Sequence, residues 1–144
     1  MKIPIGTVGL GLMGCSIATC ILSAGHRVTS LVRNTSEADA ARLHILNFLK
    51  QLHEEKLLAE DPGRVMERLF ITTEVKELSN LDLVIESITE DVEEKKKVYR
   101  QLEAVLPPTA IIGSNTSAIP VTVLQKGLYG TYRITNEIIK HIVS

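Results

Sequence analysis

Hydrophobic and polar positions along the chain follow two patterns in turn. Short apolar runs occupy residues 3–8, 27–32, 70–73, 81–88 and 110–114. Over residues 12–24, 36–52 and 92–106, apolar residues instead return every three or four positions. The first pattern predicts strands and the second predicts amphipathic helices. Strands that alternate with helices predict an α/β fold, a doubly wound parallel sheet of the Rossmann type.

Capping and turn residues set the limits of the predicted helices. Gly25 ends the first helix, Ser36 is predicted to cap the second, and Asp91 is predicted to cap the last, which Pro107 and Pro108 end. The second helix has a predicted buried stripe of Ala38, Ala41, Ile45, Leu49 and Leu52. With a short helix at 64–69, residues 36–69 form a helical insertion between the second and third strands.

The last part of the chain, residues 125–144, has a different character from the rest. Glycines alternate there with tyrosines, and residues 136–143 contain one further candidate helix. This tail matches no strand or helix of the predicted sheet. We therefore predict one domain over residues 1–124, followed by an unassigned tail over 125–144.

Composition narrows the classes of partner. The 144 residues suffice for one domain, and their net charge of −1 predicts neither nucleic-acid nor membrane-surface binding. Cys15 and Cys20 stand without a Cys/His cluster, so we interpret both as small buried residues of a protein in a reducing, cytoplasmic compartment, with no metal. The apolar stretch 3–25 is interrupted by four glycines, which argues against a signal peptide or a membrane span.

The strongest motif is the glycine turn Gly9-Leu10-Gly11-Leu12-Met13-Gly14, which lies between the first strand and the first helix. In GxGxxG turns of this kind the first glycine permits a tight turn, the second allows backbone amides to approach a pyrophosphate, and the third allows the helix to pack on the strand. The start of the helix adds a partial positive charge. These six residues therefore predict a dinucleotide site.

The end of the second strand bears on which dinucleotide binds. NAD-specific Rossmann domains usually carry Asp or Glu there, to bind the ribose hydroxyls, but this strand ends in Leu31-Val32-Arg33-Asn34-Thr35. Arg33 could instead pair with a 2′-phosphate. The cofactor is thus predicted to be NAD or NADP, with the arginine favouring NADP.

Three stretches together resemble the N-terminal domain of the 3-hydroxyacyl-CoA dehydrogenase family. They are the glycine turn with Ala24-Gly25-His26, the stretch from Asp82 to Asp91, and Ser114-Asn115-Thr116-Ser117. Their order and spacing match that family over residues 2–124, and the long helical insertion matches as well. The resemblance implies an oxidoreductase of fatty-acid metabolism that transfers hydride between nicotinamide and a 3-hydroxyacyl-CoA.

The resemblance also assigns roles by position. It makes Glu90 and Lys95 cofactor contacts at the nicotinamide end and Asn115 a neighbour of the nicotinamide. It makes Ser117 a hydrogen-bond donor shared by cofactor and substrate, and hence the only predicted catalytic contact. For the full-length family it implies an acyl-CoA substrate and a homodimer.

The departures from the family pattern limit the expected activity. Family members continue to a G-x-H-F-F-N-P-like segment whose histidine is the general base, and no such segment occurs here. We interpret His26, His44, His53 and His141 as ordinary packing or solvent-facing residues. The helical domain that completes the acyl-CoA pocket is also absent, so the chain is expected to bind cofactor and to be inactive alone.

Two alternatives stay open. The glycine turn and Val32-Arg33-Asn34-Thr35 also resemble the NADP motifs of β-hydroxyacid dehydrogenases, although the long insertion and residues 114–117 speak against that family. The other alternative is a non-catalytic dinucleotide-binding module.

Overall fold

The computed structural model describes residues 2–114 and the backbone of residues 134–135. These residues form six strands and four α-helices, together with one short 3₁₀ helix at Val75–Leu78. In chain order the elements are β1 (Pro4–Val8), α1 (Leu12–Ser23), β2 (Arg27–Leu31), α2 (Thr35–Glu54), α3 (Pro62–Met66), β3 (Leu69–Thr72), β4 (Leu83–Glu86), α4 (Val92–Val105), β5 (Ile111–Ser114) and β6 (Ile134–Thr135).

The strands form one parallel sheet in the order β3-β2-β1-β4-β5-β6. The chain runs outward from β1 to β3, returns to place β4 on the other side of β1, and runs outward again. The strand order therefore reverses between β1 and β4. In open α/β sheets the ligand crevice lies outside the carboxyl ends of the strands at such a reversal. The fold thus confirms the predicted doubly wound sheet, with α2 and α3 inserted between β2 and β3.

The core has two parts because neighbouring residues of a strand point to opposite faces of the sheet. On β4, Ile85 joins a cluster with α1 and α2, whereas Val84 joins a cluster with α4 and β5. The predicted stripe of α2 is confirmed, since Ala41, Ile45 and Leu49 are buried and the two residues at its ends pack against the same cluster.

The cap of α2 differs from the prediction. Asn34, not Ser36, precedes the helix in an extended conformation, and its Oδ1 accepts a hydrogen bond of 2.9 Å from the Glu37 N–H. Ser36 lies inside the first turn, where its hydroxyl donates to the same Asn34 Oδ1 at 2.8 Å. Either residue type can cap a helix. With the cap at Asn34, Glu37 is the third residue of the helix, the position from which a capping-box acid reaches back.

The two cysteines occupy opposite sides of α1. Cys15 is buried, and burial raises the pKa of its thiol. Cys20 is exposed, which corrects the prediction that both are buried. Five residues turn an α-helix by about 140° beyond a full revolution, so the two side chains cannot share one face. Both thiols are free.

The 3₁₀ helix and β6 are elements that the sequence did not predict. β6 falls within the tail 125–144 and pairs in parallel with β5, with Ile134 opposite Ile112. The candidate helix at 136–143 lies outside the described residues. Among the helices that the structure describes, none is both long and apolar enough to cross a membrane.

Candidate functional site

The glycine turn brings the end of β1 and the start of α1 into close contact. Gly9 has a φ of +94°, and a Cβ there would lie 2.6 Å from the Ser87 carbonyl oxygen. A Cβ on Gly14 would lie 2.1 Å from the Gly9 carbonyl oxygen. No other residue fits either position without a backbone shift. The roles predicted for these two glycines, a tight turn and a close helix–strand approach, are therefore present in the structure.

Gly11 differs from both, because nothing in the described protein lies within 4 Å of where its Cβ would be. Its backbone is extended, at φ −69° and ψ −170°, a conformation open to any residue. Gly11 is also the N-cap of α1, and no described side chain caps that helix. The backbone N–H groups of its first turn and its partial positive charge are left for an anion. Folding does not explain the glycine, whereas the approach of a pyrophosphate does.

Beside this turn, at the carboxyl ends of β1, β2 and β4, lies a cavity of about 640 Å³. That volume is within the range of small-molecule and cofactor sites. The cavity lies where the reversal of strand order places the ligand crevice. Its walls are Val8, Gly9, Leu10, Gly11, Leu31, Val32, Arg33, Glu37, Thr73, Glu74, Val75, Ser87, Ile88, Thr89, Glu94, Val98 and Gln101.

An ion pair stands at the end of β2, where the cofactor preference was expected to be set. The Arg33 guanidinium donates to the Glu37 carboxylate from Nε and from an Nη, both at 3.4 Å. The Arg33 backbone N–H donates to the same carboxylate at 3.1 Å. The structure thus supplies an acidic group that the end of β2 lacks in sequence. The arginine is thus paired in this structure while its side chain is 88% exposed, and the preference for NADP stays a prediction.

A fully buried carboxylate, Glu86, ends β4 immediately before Ser87 and Ile88, which line the cavity. Its Oε2 accepts from Lys95 Nζ at 2.5 Å and from the Ile88 N–H at 2.8 Å. Its Oε1 accepts from the Tyr99 hydroxyl and from Ser114 Oγ, the latter at 2.7 Å. Burial and the neighbouring charge of Glu86 raise the pKa of Tyr99, which keeps the phenol protonated as a donor. The cluster ties α4 and β5 to the end of β4.

Lys95 extends this cluster toward the surface. Its side chain is fully buried, and Nζ contacts Glu86, the Ile88 carbonyl oxygen at 3.3 Å and the Glu90 carboxylate at 3.3 Å. The Glu90 side chain is 41% exposed. Neither Glu90 nor Lys95 lines the cavity. The structure places Lys95 to hold the loop that carries Glu90, and a direct cofactor contact by either residue stays a prediction.

The other predicted site residues fall into two groups. Leu12 and Met13, on the first turn of α1, have exposed side chains, at 69% and 61%. Asn115 and Ser117 lie outside the described residues, so their roles at the nicotinamide and the substrate stay predictions.

Three of the four histidines can be placed, and none lines the cavity. His26 lies at the opposite end of the sheet, before β2, where its Nδ1 accepts from the Ile3 N–H at 3.1 Å. Burial and the nearby charge of Lys2 lower the pKa of His26. His44 is exposed on α2, and His53 Nδ1 lies 2.9 Å from the Leu58 carbonyl oxygen. His141 lies outside the described residues.

Two carboxylates of this region, Glu37 and Glu86, were not predicted as site residues, although the sequence around each one contains a pattern that indicates its role. Glu37 follows Asn34 by three residues, the spacing of a capping box, which places an acid at the start of a helix. Glu86 ends the apolar run of β4, and a buried carboxylate needs buried donors. Lys95 and Tyr99, four apart, are two such donors on one face of α4.

The fold, the glycine turn and the cavity together define a Rossmann domain built for a dinucleotide. The family model described as 3-hydroxyacyl-CoA dehydrogenase, NAD binding domain, matches residues 4–141. The chain belongs to this family. The match decides between the two dehydrogenase families that the sequence left open. It also extends past residue 124, where the domain boundary was predicted.

Individual relatives agree with the family match. The chain is 34% identical over 119 residues to a probable 3-hydroxybutyryl-CoA dehydrogenase of Deinococcus radiodurans, which covers 83% of this chain and 43% of the relative. The crystal structure of FadB2 of Mycobacterium tuberculosis has a TM-score of 0.85 at 31% identity, covering 90% of this chain and 46% of that one. A 3-hydroxybutyryl-CoA dehydrogenase structure from Escherichia coli has a TM-score of 0.86 at 29% identity, covering 93% and 29%. The chain thus spans less than half the length of each.

Proposed function

We propose that this chain is the cofactor domain of a 3-hydroxyacyl-CoA dehydrogenase, which binds NAD(H) or NADP(H) at the glycine turn for hydride transfer from a 3-hydroxyacyl-CoA to the oxidised nicotinamide and, in the reverse direction, from the reduced nicotinamide to the 3-oxoacyl-CoA. The observation that carries the proposal is Gly11, a position that the protein's own packing leaves open at the uncapped start of α1. Bound there, the cofactor would supply the hydride acceptor or donor. The chain's own residues would hold the pyrophosphate and shape the cavity.

The acyl-CoA substrate and a homodimer are part of the same proposal, and they rest on the family alone. In it, Ser117 donates a hydrogen bond to cofactor and substrate, and Asn115 lies beside the nicotinamide. Two free thiols are compatible with a cytoplasmic location, which we propose on that ground.

Titration of the 144-residue chain tests the proposal. The chain has no tryptophan, so calorimetry or the emission of the reduced nicotinamide itself is the suitable signal. We expect saturable binding of NADH at one site per chain, with no comparable binding of nicotinamide mononucleotide, which lacks the pyrophosphate. Absence of NADH binding by a folded chain would refute the proposal.

The same preparation, assayed with acetoacetyl-CoA and NADH, is expected to show no turnover above background. A positioned general acid, which is the base of the oxidation direction, contributes roughly 10²- to 10⁴-fold to such a reaction. None of the histidines that the structure describes lines the cavity. Measurable turnover would mean that a base has been missed, and His141→Ala would then be the first variant to assay.

A further inference from the structure

We infer that Glu37 replaces the missing acid at the end of β2 as the group that binds the adenosine ribose, and that it makes the site select NAD(H) over NADP(H). The inference rests on the proposed dinucleotide site and goes beyond it by assigning the choice between the two cofactors to one carboxylate. It also reverses the preference for NADP that Arg33 suggested in sequence.

The first step concerns position. β2 ends at Leu31, and the next residue, Val32, is apolar and only 6% exposed, so it offers no hydrogen bond to a ribose. The structure brings Glu37 to the same wall of the cavity from the first turn of α2. The glycine turn, with Gly9 and Gly11, lines that cavity as well. A dinucleotide with its pyrophosphate at the turn would extend its adenosine half toward β2 and β3.

The second step concerns how the carboxylate is held. Asn34 Oδ1 fixes the Glu37 N–H, and the Arg33 backbone N–H and guanidinium fix the Glu37 carboxylate. The helix cap and the adjacent arginine therefore hold the acid through the protein's own contacts. The carboxylate keeps acceptor capacity, because two oxygens offer about four lone-pair sites and the Glu37 side chain is 31% exposed. A ribose 2′-hydroxyl can donate to it.

The third step concerns charge. Among the described residues that line the cavity, four side chains are charged: one arginine, Arg33, and three glutamates, Glu37, Glu74 and Glu94. The arginine of this described set is paired with Glu37. A 2′-phosphate would add about two negative charges to this wall. The phosphate would lie near the Glu74 and Glu94 carboxylates, which repel it. If Arg33 turned to pair with the phosphate instead, the Glu37 carboxylate would be left without its cation beside the phosphate. A 2′-hydroxyl meets neither penalty.

The experiment compares NADH and NADPH dissociation constants for the wild-type chain, Glu37→Gln and the matched control Asp39→Asn. Asp39 is exposed on the same helix and does not line the cavity, so its variant removes the same charge from the same element. Thermal unfolding of each variant shows that it is folded. The Glu37→Gln amide can still accept from the Arg33 N–H, which preserves the helix start.

We expect the wild-type chain to bind NADH at least about tenfold more tightly than NADPH, and Glu37→Gln to reduce that ratio by about tenfold or more, from the loss of one charged hydrogen bond. Asp39→Asn should leave the ratio unchanged. Arg33→Ala added to Glu37→Gln should remove any gain in NADPH binding, because the released guanidinium would be its source.

Tighter binding of NADPH than NADH by the wild-type chain would overturn the inference, and so would equal ratios in Glu37→Gln and the wild type. These outcomes leave the proposed function standing, since a dinucleotide still binds. If the folded wild-type chain binds neither nucleotide, the proposed function is wrong, and this inference falls with it.

Discussion

Replacement of Gly11 by valine should separate cofactor binding from folding. A Cβ at this position meets no described protein atom within 4 Å, and the backbone is in an extended conformation that valine adopts readily. The added methyl groups would occupy cavity space beside the first N–H groups of α1. A phosphate could then no longer approach those groups closely. Binding should be lost while the fold is retained.

For Gly11→Val, the expected loss of NADH affinity is larger than the expected loss of unfolding free energy. Each hydrogen bond from a backbone N–H to a phosphate is worth about 1.5–3 kcal/mol, so the loss of two raises the NADH dissociation constant by about 100-fold or more. The unfolding free energy changes less, because exchanging glycine for valine at an N-cap costs about 1 kcal/mol. In a domain of this size that corresponds to a fall of only a few degrees in the melting temperature, roughly 2–4 °C.

Gly14→Ala provides the contrast, since its Cβ would lie 2.1 Å from the Gly9 carbonyl oxygen. We expect a loss of about 3 kcal/mol or more in the unfolding free energy, because backbone must move. Calorimetric NADH titration and thermal unfolding of both variants make the test. If Gly11→Val bound NADH as the wild type does, the open space at Gly11 would have nothing to do with a pyrophosphate. If Gly11→Val unfolded as easily as Gly14→Ala, the position would be structural after all.

Two further predictions concern titration and buried charge. Because the pKa of His26 is lowered in the folded chain, the unfolded chain binds the proton more readily, so the unfolding free energy should fall as the pH is lowered from about 7.5 to about 5.5. His26→Asn, which keeps an acceptor without titrating, should flatten that slope in denaturant unfolding, and an unchanged slope would refute the assignment to His26. Lys95→Met leaves a buried carboxylate without its cation and should cost about 3–5 kcal/mol of unfolding free energy, against less than about 0.5 kcal/mol for the exposed Lys97→Met. Equal losses in the two lysine variants would show that the buried ion pair does not stabilise the fold.

The sheet was predictable because its strands and helices carry strong local signals. The short apolar run of β4 is typical of a strand that is buried on both faces, and the periodic stripe of α2 is typical of a helix that is buried on one face. β6 gave no such signal. Two residues, Ile134 and Thr135, become a strand only because β5 offers them a parallel edge, and that edge is set by the rest of the fold.

The candidate site also has one part that could be predicted from local sequence and one part that could not. The glycine turn could be predicted because its chemistry is contained in six consecutive residues. The partners of Arg33 and Lys95 could not be predicted from their own positions, because each depends on where the chain turns next. Arg33 looked like a free cation until the cap at Asn34 set the start of α2 and brought Glu37 back toward it. Placing the cap two residues too late concealed the capping-box position of Glu37, the acid on which the proposed preference for NAD(H) rests.

Two carboxylates of this region, Glu86 and Glu37, differ in burial, and this difference determines whether each can contact a ligand. Glu86 is fully buried, and all four of its hydrogen bonds are to groups of the protein. It therefore holds α4 and β5 against the end of β4. Glu37 is partly exposed and keeps acceptor capacity, so its charge reaches the cavity. A fully buried carboxylate needs partners within the protein, whereas a partly exposed one can exchange a water molecule for a ligand hydroxyl. By that criterion Glu37, and not the more deeply buried Glu86, is the acid placed to distinguish a hydroxyl from a phosphate.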